Sequence, residues 1–515
     1  MRPPLGYESS FGGWGSPAIS AGARRRAGQA VPPHHGSVKI ILRGGAEITG
    51  LLLGVISTLW VSRIVGPSYF GYYAVMLTIV TLGGLLINAG LPTVGAQRVA
   101  NNPDDTGEVL WVVTVSRAAL AAVAVAGGLV ILAVAPIAPV LRDYLRIGLV
   151  MWVLIPLSDG WVLVALGRLR AISVLRVAGS VATLLTAMVL VRDGSDAGSA
   201  AWVPVAGAIV NAAGTSYLAR RWSPARRRSD RSVATTVWAY FRAGLHYLKS
   251  DVSVMIFTAS DRLFLYAFAT PAVVGLYAAA YSVILPFYMI STVVADTMYL
   301  PLAQAFGTDR LRPTFRRYVD LMCFATVPLG FFLFAFAPAV IAILYGPTYA
   351  AASEYLAILG WVITFGYTAG VAVVPFSAWN RPREYGNSTL FGGVLNLGLN
   401  FALIPTYQAF GAAWATVAAK IAVTLAGVRY FQRATDYPLV RDLVEYASFS
   451  AAAFASGFAA SHVLPYPTAS GIAVFGLVYI ALVAVVRWRH YGPLSLQGLR
   501  SLLAGGSGIK ERKGS

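Results

Sequence analysis

Length, composition and charge exclude an ordinary soluble protein. The chain has 515 residues, of which 57% are apolar and 12% are charged, and it carries a formal net charge of +19. A soluble domain averages about half apolar and about a quarter charged residues. The mean hydropathy is +0.66, and apolar stretches of about twenty residues, each able to cross about 30 Å of hydrocarbon, recur along the chain. These features predict an all-α polytopic membrane protein.

Residues typical of metal and redox chemistry are sparse in the sequence. The single cysteine, Cys323, lies inside an apolar stretch, which excludes an intrachain disulfide and a Cys-x-x-Cys motif. The five histidines show no metal-ligand spacing, and the phosphate-binding pattern G-x-x-x-x-G-K-[ST] does not occur. We therefore expect a membrane transporter rather than an enzyme, with no metal site and no organic cofactor.

About fourteen transmembrane helices are predicted. The residues that precede the first apolar stretch are rich in Pro, Gly, Ser and Arg and lack a signal-peptide core. Gly and Pro inside the later stretches do not exclude helices, since both are common in membrane helices. The predicted spans are 40–64, 69–90, 109–134, 148–166, 172–191, 201–219, 244–268, 273–300, 319–345, 355–377, 386–404, 409–430, 446–463 and 470–486.

The distribution of Lys and Arg predicts the orientation. Most of the 40 basic residues fall in the two termini and the even-numbered connections, and the odd-numbered connections carry only Arg63, Arg142, Arg146 and Arg192. Because basic connections remain on the cytoplasmic side, both termini are predicted to lie in the cytoplasm. The basic run 220–231 between the sixth and seventh spans is expected to meet anionic lipid headgroups rather than nucleic acid.

An internal repeat predicts two lobes. Residues 67–74 recur as residues 271–278 with the shared pattern P-x-x-x-G-x-Y-A, at an offset of 204. Each copy joins the first and second helices of a six-helix series. Because six is even, both series begin on the same side, which indicates a parallel repeat about an axis along the membrane normal. The alternative is that the pattern reflects only the turn chemistry of a short hairpin.

The spans and the repeat together predict six segments. They are a disordered cytoplasmic tail (1–38), an N-lobe of helices 1–6 (39–221), a basic cytoplasmic loop (222–240), a C-lobe of helices 7–12 (241–433), helices 13–14 (434–490) and a second cytoplasmic tail (491–515).

The repeat also carries a family resemblance. Residues 63–73, Arg-Ile-Val-Gly-Pro-Ser-Tyr-Phe-Gly-Tyr-Tyr, resemble the R-x-x-G-P-x-x-x-G-x-Y segment of Wzx-type polysaccharide exporters. These exporters belong to the multidrug, oligosaccharidyl-lipid and polysaccharide exporter superfamily. Asp261-Arg262 and the stretch 274–277 are similar to the family's D-[KR] and V-G-x-Y elements, and 395–400 and 410–416 to its L-N-x-x-L-N and G-A-A-x-A-T elements.

The resemblance runs from about Lys39 to Arg433, and the last two spans and the long N-terminal tail carry no family signature. The motif positions expected to be structural are Arg63, Gly66, Pro67, Gly71, Tyr73, Asp261, Gly275, Tyr277, Asn396 and Gly411.

The resemblance implies a flippase of the bacterial inner membrane that works by alternating access. It would move polyprenyl-diphosphate-linked oligosaccharide or polysaccharide repeat units to the outer leaflet during synthesis of surface glycans such as lipopolysaccharide or exopolysaccharide. Its partners would be the lipid-linked glycan, membrane lipids and the polymerase or export machinery. Two alternatives stay open. One is a multidrug or small-molecule antiporter of the same fold. The other is a membrane polysaccharide polymerase or ligase, although such enzymes resemble chains with a large outer loop and the predicted outer loops here are short.

Ionisable residues inside the spans are the candidate substrate-binding residues, since each costs at least about 2.5 to 3.5 kcal/mol at a helix centre. Arg117 and Lys420 have no acid within a turn of their own helices and are the best cationic candidates for headgroup contact. Asp159 and Asp296 interrupt apolar spans. They would neutralise those cations or bind a proton, and the alternative is structural pairing between helices.

The first and seventh spans carry further candidates. Glu47 lies on a stripe of small and polar residues, where an ion pair with Arg43 at the rim is the alternative to a cavity role. Asp251 and Arg262 share one face of the seventh span, and the alternative for Arg262 is to reach the interface near the outer end. Acids in a cavity would permit H+ or Na+ coupling.

Overall fold

The computed structural model describes residues 36–223, 233–379, 381–464 and 466–491, and over these ranges it contains helices and connections but no strand. Most of the predicted N-terminal tail, much of the basic loop and nearly all of the C-terminal tail lie outside them. The helices are α1 (Gly36–Asn88), α2 (Leu91–Asn101), α3 (Thr106–Val134), α4 (Pro139–Leu154), α5 (Gly160–Ala165), α6 (Leu169–Leu190), α7 (Val203–Trp222), α8 (Val233–Phe268), α9 (Pro271–Ala305), α10 (Leu311–Leu344), α11 (Ala352–Ala378), α12 (Pro382–Ala434), α13 (Leu439–Val463) and α14 (Pro467–Tyr491).

Two of these helices each cover two predicted spans, because both are interrupted. In α1 the interruption is Gly66, with φ 76° and ψ 172°, followed by Pro67. In α12 it is Gln408, with φ 48° and ψ −125°. Glycine adopts positive φ without a Cβ clash, and proline lacks the N–H that a helix interior needs, so Gly66-Pro67 is a natural place for the chain to change direction. We call the halves α1a and α1b, and α12a and α12b.

The crossings agree with the sequence prediction. Among the described residues, nine helical segments are long and apolar enough to cross a membrane, and the interruptions divide two of them into two crossings each. Helices α8, α9 and α13 have comparable lengths of 36, 35 and 25 residues. The described part of the chain thus supplies fourteen crossings. The fourth is discontinuous, because a 3-10 turn (Ile155–Leu157) separates α4 from α5.

The crossings alternate in direction, so their connections lie at two ends of the bundle. The hairpin end carries the Gly66 turn and the α8–α9 and α10–α11 connections. The basic end carries the α1–α2, α9–α10 and α12–α13 connections. We keep the predicted names for the two halves, with α1 to α7 as the N-lobe and α8 to α12 as the C-lobe, and α13 and α14 pack against α10.

The two copies of the repeat lie against each other between the lobes. A Cβ atom on Gly71 would lie 1.9 Å from the carbonyl oxygen of Pro271, and one on Gly275 would lie 1.9 Å from the carbonyl oxygen of Pro67. This reciprocity is what a pseudo-two-fold axis between the copies produces. This reciprocal contact favours a duplication with two-fold symmetry over turn chemistry alone as the origin of the repeat.

A buried ion pair attaches α13 to the C-lobe at the basic end. Asp442 is 1% exposed and accepts hydrogen bonds from Arg316 Nη1, at 2.8 Å, and from the Tyr437 hydroxyl. Arg316 Nη2 also lies 3.4 Å from Glu445 Oε2. Burial and the neighbouring carboxylate raise the pKa of Tyr437, so its hydroxyl stays protonated and donates to Asp442. Both partners of the carboxylate are thus retained near neutral pH.

We expect Asp442→Ala to increase the alkylation rate of the native thiol Cys323 in detergent by roughly tenfold, equivalent to about 1.4 kcal/mol. Cys323 is fully buried on α10, and loss of the carboxylate should let α13 separate from that helix more often. Asp436→Ala is the matched control, because Asp436 is exposed in the α12–α13 connection. Equal alkylation rates in the two variants would exclude this role for Asp442.

Candidate functional site

A single buried carboxylate brings together the family-like segments of the C-lobe. Asp261 on α8 is 2% exposed. Its Oδ2 accepts hydrogen bonds from the hydroxyls of Tyr277 on α9 and Thr416 on α12b, both at 2.8 Å. Its Oδ1 accepts one from Asn400 Nδ2 on α12a at 2.5 Å. A buried charge is tolerated only when such partners replace water, so Asp261 holds four crossings together.

Asparagine and serine side chains extend this network. Asn396 and Asn400 lie one turn apart on α12a and therefore share a face. Asn396 Oδ1 accepts hydrogen bonds from Ser260 Oγ at 3.3 Å and from Asn400 Nδ2 at 3.2 Å. Asn400 Oδ1 is buried and has no hydrogen-bond partner among the described residues. The site therefore combines a carboxylate with an amide oxygen that is free to accept a proton donor or a cation.

Lys420 lies beside this network. It is one helical turn beyond Thr416 on α12b and interacts electrostatically with Asp261. The sequence offers no acid within a turn of Lys420 on its own helix, and the structure brings one from α8. Lys420 therefore lies beside the C-lobe network and not at a separate position.

Arg262, the next residue after Asp261, contacts the other lobe. Its Nη1 lies 3.4 Å from Thr78 Oγ1 on α1b, and its guanidinium carbon lies 5.1 Å from the ring centroid of Tyr281 on α9. Consecutive residues on a helix point about 100° apart, which lets Asp261 face the C-lobe interior while Arg262 faces the lobe interface. Arg262 thus bridges the lobes instead of extending away from them.

Arg117 and Asp159 form a buried pair inside the N-lobe. Their side chains are 2% and 0% exposed, with Arg117 Nη1 3.7 Å from Asp159 Oδ1. Arg117 also donates to the carbonyl oxygens of Ile155 and Ser158, where the fourth crossing is discontinuous. Asp159 thus lies beside one of the two cations named from the sequence, as both the neutralising role and the structural pairing of helices would require. The Arg117 guanidinium is engaged within its own lobe, so its placement favours a structural role over headgroup contact.

The remaining candidates from the sequence are Glu47, Asp251 and Asp296. The side chains of Glu47 and Asp251 lie outside the described residues. Asp296 is exposed on α9. Across the described part of the chain, no group of three or more His, Cys, Asp or Glu side chains is arranged to hold a metal ion.

Several residues of the site were not predicted as site residues from the sequence. Asn400 and Thr416 were seen only as motif positions, although each lies four residues from another predicted residue, Asn396 or Lys420, and so on the same helix face. Tyr281 lies four residues after the motif residue Tyr277 and carries the same signal, whereas Thr78 carries none. Their role depends on how the two lobes meet, which the sequence does not show.

Comparison with solved structures shows that the fold of this chain is similar to the fold of membrane transporters. The chain superposes on a structure titled lipid II flippase MurJ, inward closed conformation, with a TM-score of 0.71, 12% identity, and coverage of 87% of this chain and 99% of that one. An inward-facing multidrug resistance MATE family transporter of the MOP superfamily matches with a TM-score of 0.58, 15% identity, and coverage of 79% and 99%. The MATE multidrug transporter DinF-BH matches with a TM-score of 0.55, 15% identity, and coverage of 76% and 94%.

The family is shown by the sequence itself. Residues 60–354 match the polysaccharide biosynthesis protein family, and because this is more than half of the chain, the protein belongs to that family. No curated protein sequence matches it significantly. The resemblance of the C-lobe motifs to exporters of the same superfamily agrees with this assignment.

We expect Arg117→Met to lower the thermal midpoint of the detergent-solubilised protein, because it leaves Asp159 buried without its cation, a loss typically of about 3 to 5 kcal/mol. Adding Asp159→Asn should restore part of that loss, since the uncompensated charge is then removed. Thermal unfolding of both single variants and the double variant measures the coupling. Strictly additive effects would contradict an ion pair with a structural role.

Proposed function

We propose that the protein is a flippase that moves a polyprenyl-diphosphate-linked oligosaccharide from the cytoplasmic leaflet to the outer leaflet. The observation that carries the proposal is Arg262 at the interface of two transporter lobes, in a chain of the polysaccharide biosynthesis family. Family membership supports a glycan pathway, and the fold of the MurJ and MATE structures supports transport. A multidrug antiporter shares the fold but not the family.

The chemistry at the lobe interface suits an anionic glycolipid headgroup. A guanidinium binds phosphate oxygens through two parallel N–H donors, and the Arg262 guanidinium lies between Thr78 and Tyr281. One helical turn after Arg262, Tyr266 of α8 meets Tyr72 of α1b across the lobes, with ring centroids 6.3 Å apart. Aromatic faces pack well against the apolar faces of sugar rings. Charge and aromatic surface are thus adjacent, as a diphosphate joined to a sugar requires.

The Asp261 network is the proposed site of ion coupling. A carboxylate, two amide oxygens and a hydroxyl form a donor set suited to a hard monovalent cation such as Na+, and protonation of the carboxylate is the alternative. Lys420 contributes a competing positive charge beside Asp261. Binding of an ion would change the electrostatic interaction of Asp261 with Lys420. It would also change the hydrogen bonds that Asp261 accepts from Asn400 and Thr416, and thereby the packing of α8 against α12.

We expect Arg262→Gln to slow flipping of a fluorescent prenyl-diphosphate glycan in proteoliposomes by roughly tenfold to a hundredfold, because a hydrogen bond to a charged group contributes about 1.5 to 3 kcal/mol. Arg262→Lys should retain an intermediate rate, since it keeps the charge but loses the planar fork. Arg170→Gln is the control, because Arg170 is exposed in the N-lobe.

Other outcomes of this assay would support other functions. Export of cationic drugs without glycolipid movement would favour the antiporter. New glycosidic linkages formed by the purified protein would favour the polymerase or ligase. Equal flipping by the Arg262→Gln and Arg170→Gln proteins would remove Arg262 from the binding site.

We expect Asp261→Asn to abolish the stimulation of flipping by an imposed Na+ or H+ gradient, because the neutral amide supplies no negative charge to balance a cation and does not accept a titrating proton. Flipping by the parent protein is measured with each gradient in turn, which identifies the ion. Asp309→Asn, at an exposed position in the α9–α10 connection, should leave the stimulation unchanged. Full gradient dependence in Asp261→Asn would place coupling elsewhere.

A further inference from the structure

At the hairpin end the lobes meet through backbone atoms. The Cβ positions of Gly71 and Gly275 are filled by the carbonyl groups of Pro271 and Pro67, each at 1.9 Å. Real Cβ atoms do not approach other heavy atoms so closely, so alanine at either position would push the lobes apart. Such a contact leaves no space for water between α1b and α9.

An arginine crosses between the lobes at the same end. Arg63 Nε donates to the carbonyl oxygen of Leu344 at 2.7 Å, and Arg63 Nη2 donates to that of Ile343. These carbonyls belong to the last turn of α10, where helical partners are absent and a cation is favourable. The Tyr349 hydroxyl, from the α10–α11 connection, donates to the carbonyl oxygen of Ser62 at 2.7 Å. The hairpin end is therefore closed by backbone contact and tied by side chains from both lobes.

A second glycine contact closes the basic end. A Cβ on Gly244 of α8 would lie 2.3 Å from the carbonyl oxygen of Ala89, and one on Gly90 would lie 2.3 Å from the carbonyl oxygen of Gly244. Gln97 Nε2 donates to the Tyr247 hydroxyl at 2.8 Å beside this contact. Thus α1b is in contact with the C-lobe near its first turn and just beyond its last.

The two contacts are separated by the thickness of a membrane. Gly71 and Gly90 are nineteen residues apart, which at 1.5 Å per residue is about 29 Å along the helix, close to the hydrocarbon thickness of about 30 Å. We propose that the Gly71–Gly275 and Gly90–Gly244 contacts are the two gates of the transporter, each sealed by direct backbone packing. Arg63 holds the hairpin gate closed through its hydrogen bonds to the last turn of α10. This inference extends the proposed transport function by naming the surfaces that must separate.

The test measures access to a thiol placed between the gates and needs no substrate, so its result is independent of the flipping assay. Thr78 lies on α1b between the two glycines and is 2% exposed. In a Cys323→Ala background, Thr78→Cys is labelled with a membrane-impermeant maleimide, from one side in spheroplasts and from the other in inverted vesicles. The parent protein should label slowly from both sides.

Gly275→Ala and Gly244→Ala are the test variants, because neither glycine has positive φ and alanine is a good helix former. We expect each to increase labelling at least about tenfold from one side only, and the two sides to be opposite. Gly127→Ala on α3 is the control, since a Cβ there meets nothing within 4 Å. Labelling of the denatured proteins confirms that all variants carry an equally reactive thiol.

Arg63→Ala keeps the proposal falsifiable if alanine at Gly275 prevents folding, because it opens the same gate by removing a bond and not by adding an atom. It should increase labelling from the same side as Gly275→Ala. Increases from the same side in Gly275→Ala and Gly244→Ala would overturn the assignment. So would a comparable increase in Gly127→Ala, or unchanged labelling in both Gly244→Ala and Arg63→Ala.

Discussion

The cost of charge in hydrocarbon is the constraint on which the arrangement of this protein depends. A carboxylate such as Asp261 cannot remain buried unless other groups replace its water. In the C-lobe the replacements come from α9 and from both halves of α12, so the requirement of one side chain fixes the relative positions of four crossings. Because consecutive residues on a helix point about 100° apart, the neighbouring Arg262 points toward the other lobe.

The same constraint has a different result in the N-lobe. Arg117 Nη1 lies 3.7 Å from Asp159 Oδ1, and the arginine donates hydrogen bonds to carbonyl groups at the discontinuity of the fourth crossing. The two charges balance within one lobe, although both Asp159 oxygens are buried without a hydrogen-bond partner among the described residues. Arg262 shares its contacts between two lobes, and in the proposed mechanism it exchanges them for an anion when the lobes separate. The two arginines therefore differ in their partners, which is the basis for proposing different roles for them.

Much of the architecture could be predicted from the sequence because it depends on local patterns. Apolar length predicts the crossings, and the repeat at 67–74 and 271–278 predicts two lobes. The site could be predicted only in part. The motif residues Asp261, Tyr277 and Asn396 were recognised one by one, but their convergence depends on helix packing. The contact between Gly90 and Gly244 has no sequence signal at all, because it joins two unrelated segments through backbone atoms.

The adjacency of Asp261 and Arg262 has a thermodynamic consequence. A cation held by Asp261 and an anion held by Arg262 would be bound by consecutive positions of one helix. Binding at either residue would then change the affinity of the other residue for its ion. Linkage then requires that the cation and the anion change each other's affinity by the same factor. A transporter built in this way would couple the binding of its driving ion to the binding of its substrate through a single turn of α8.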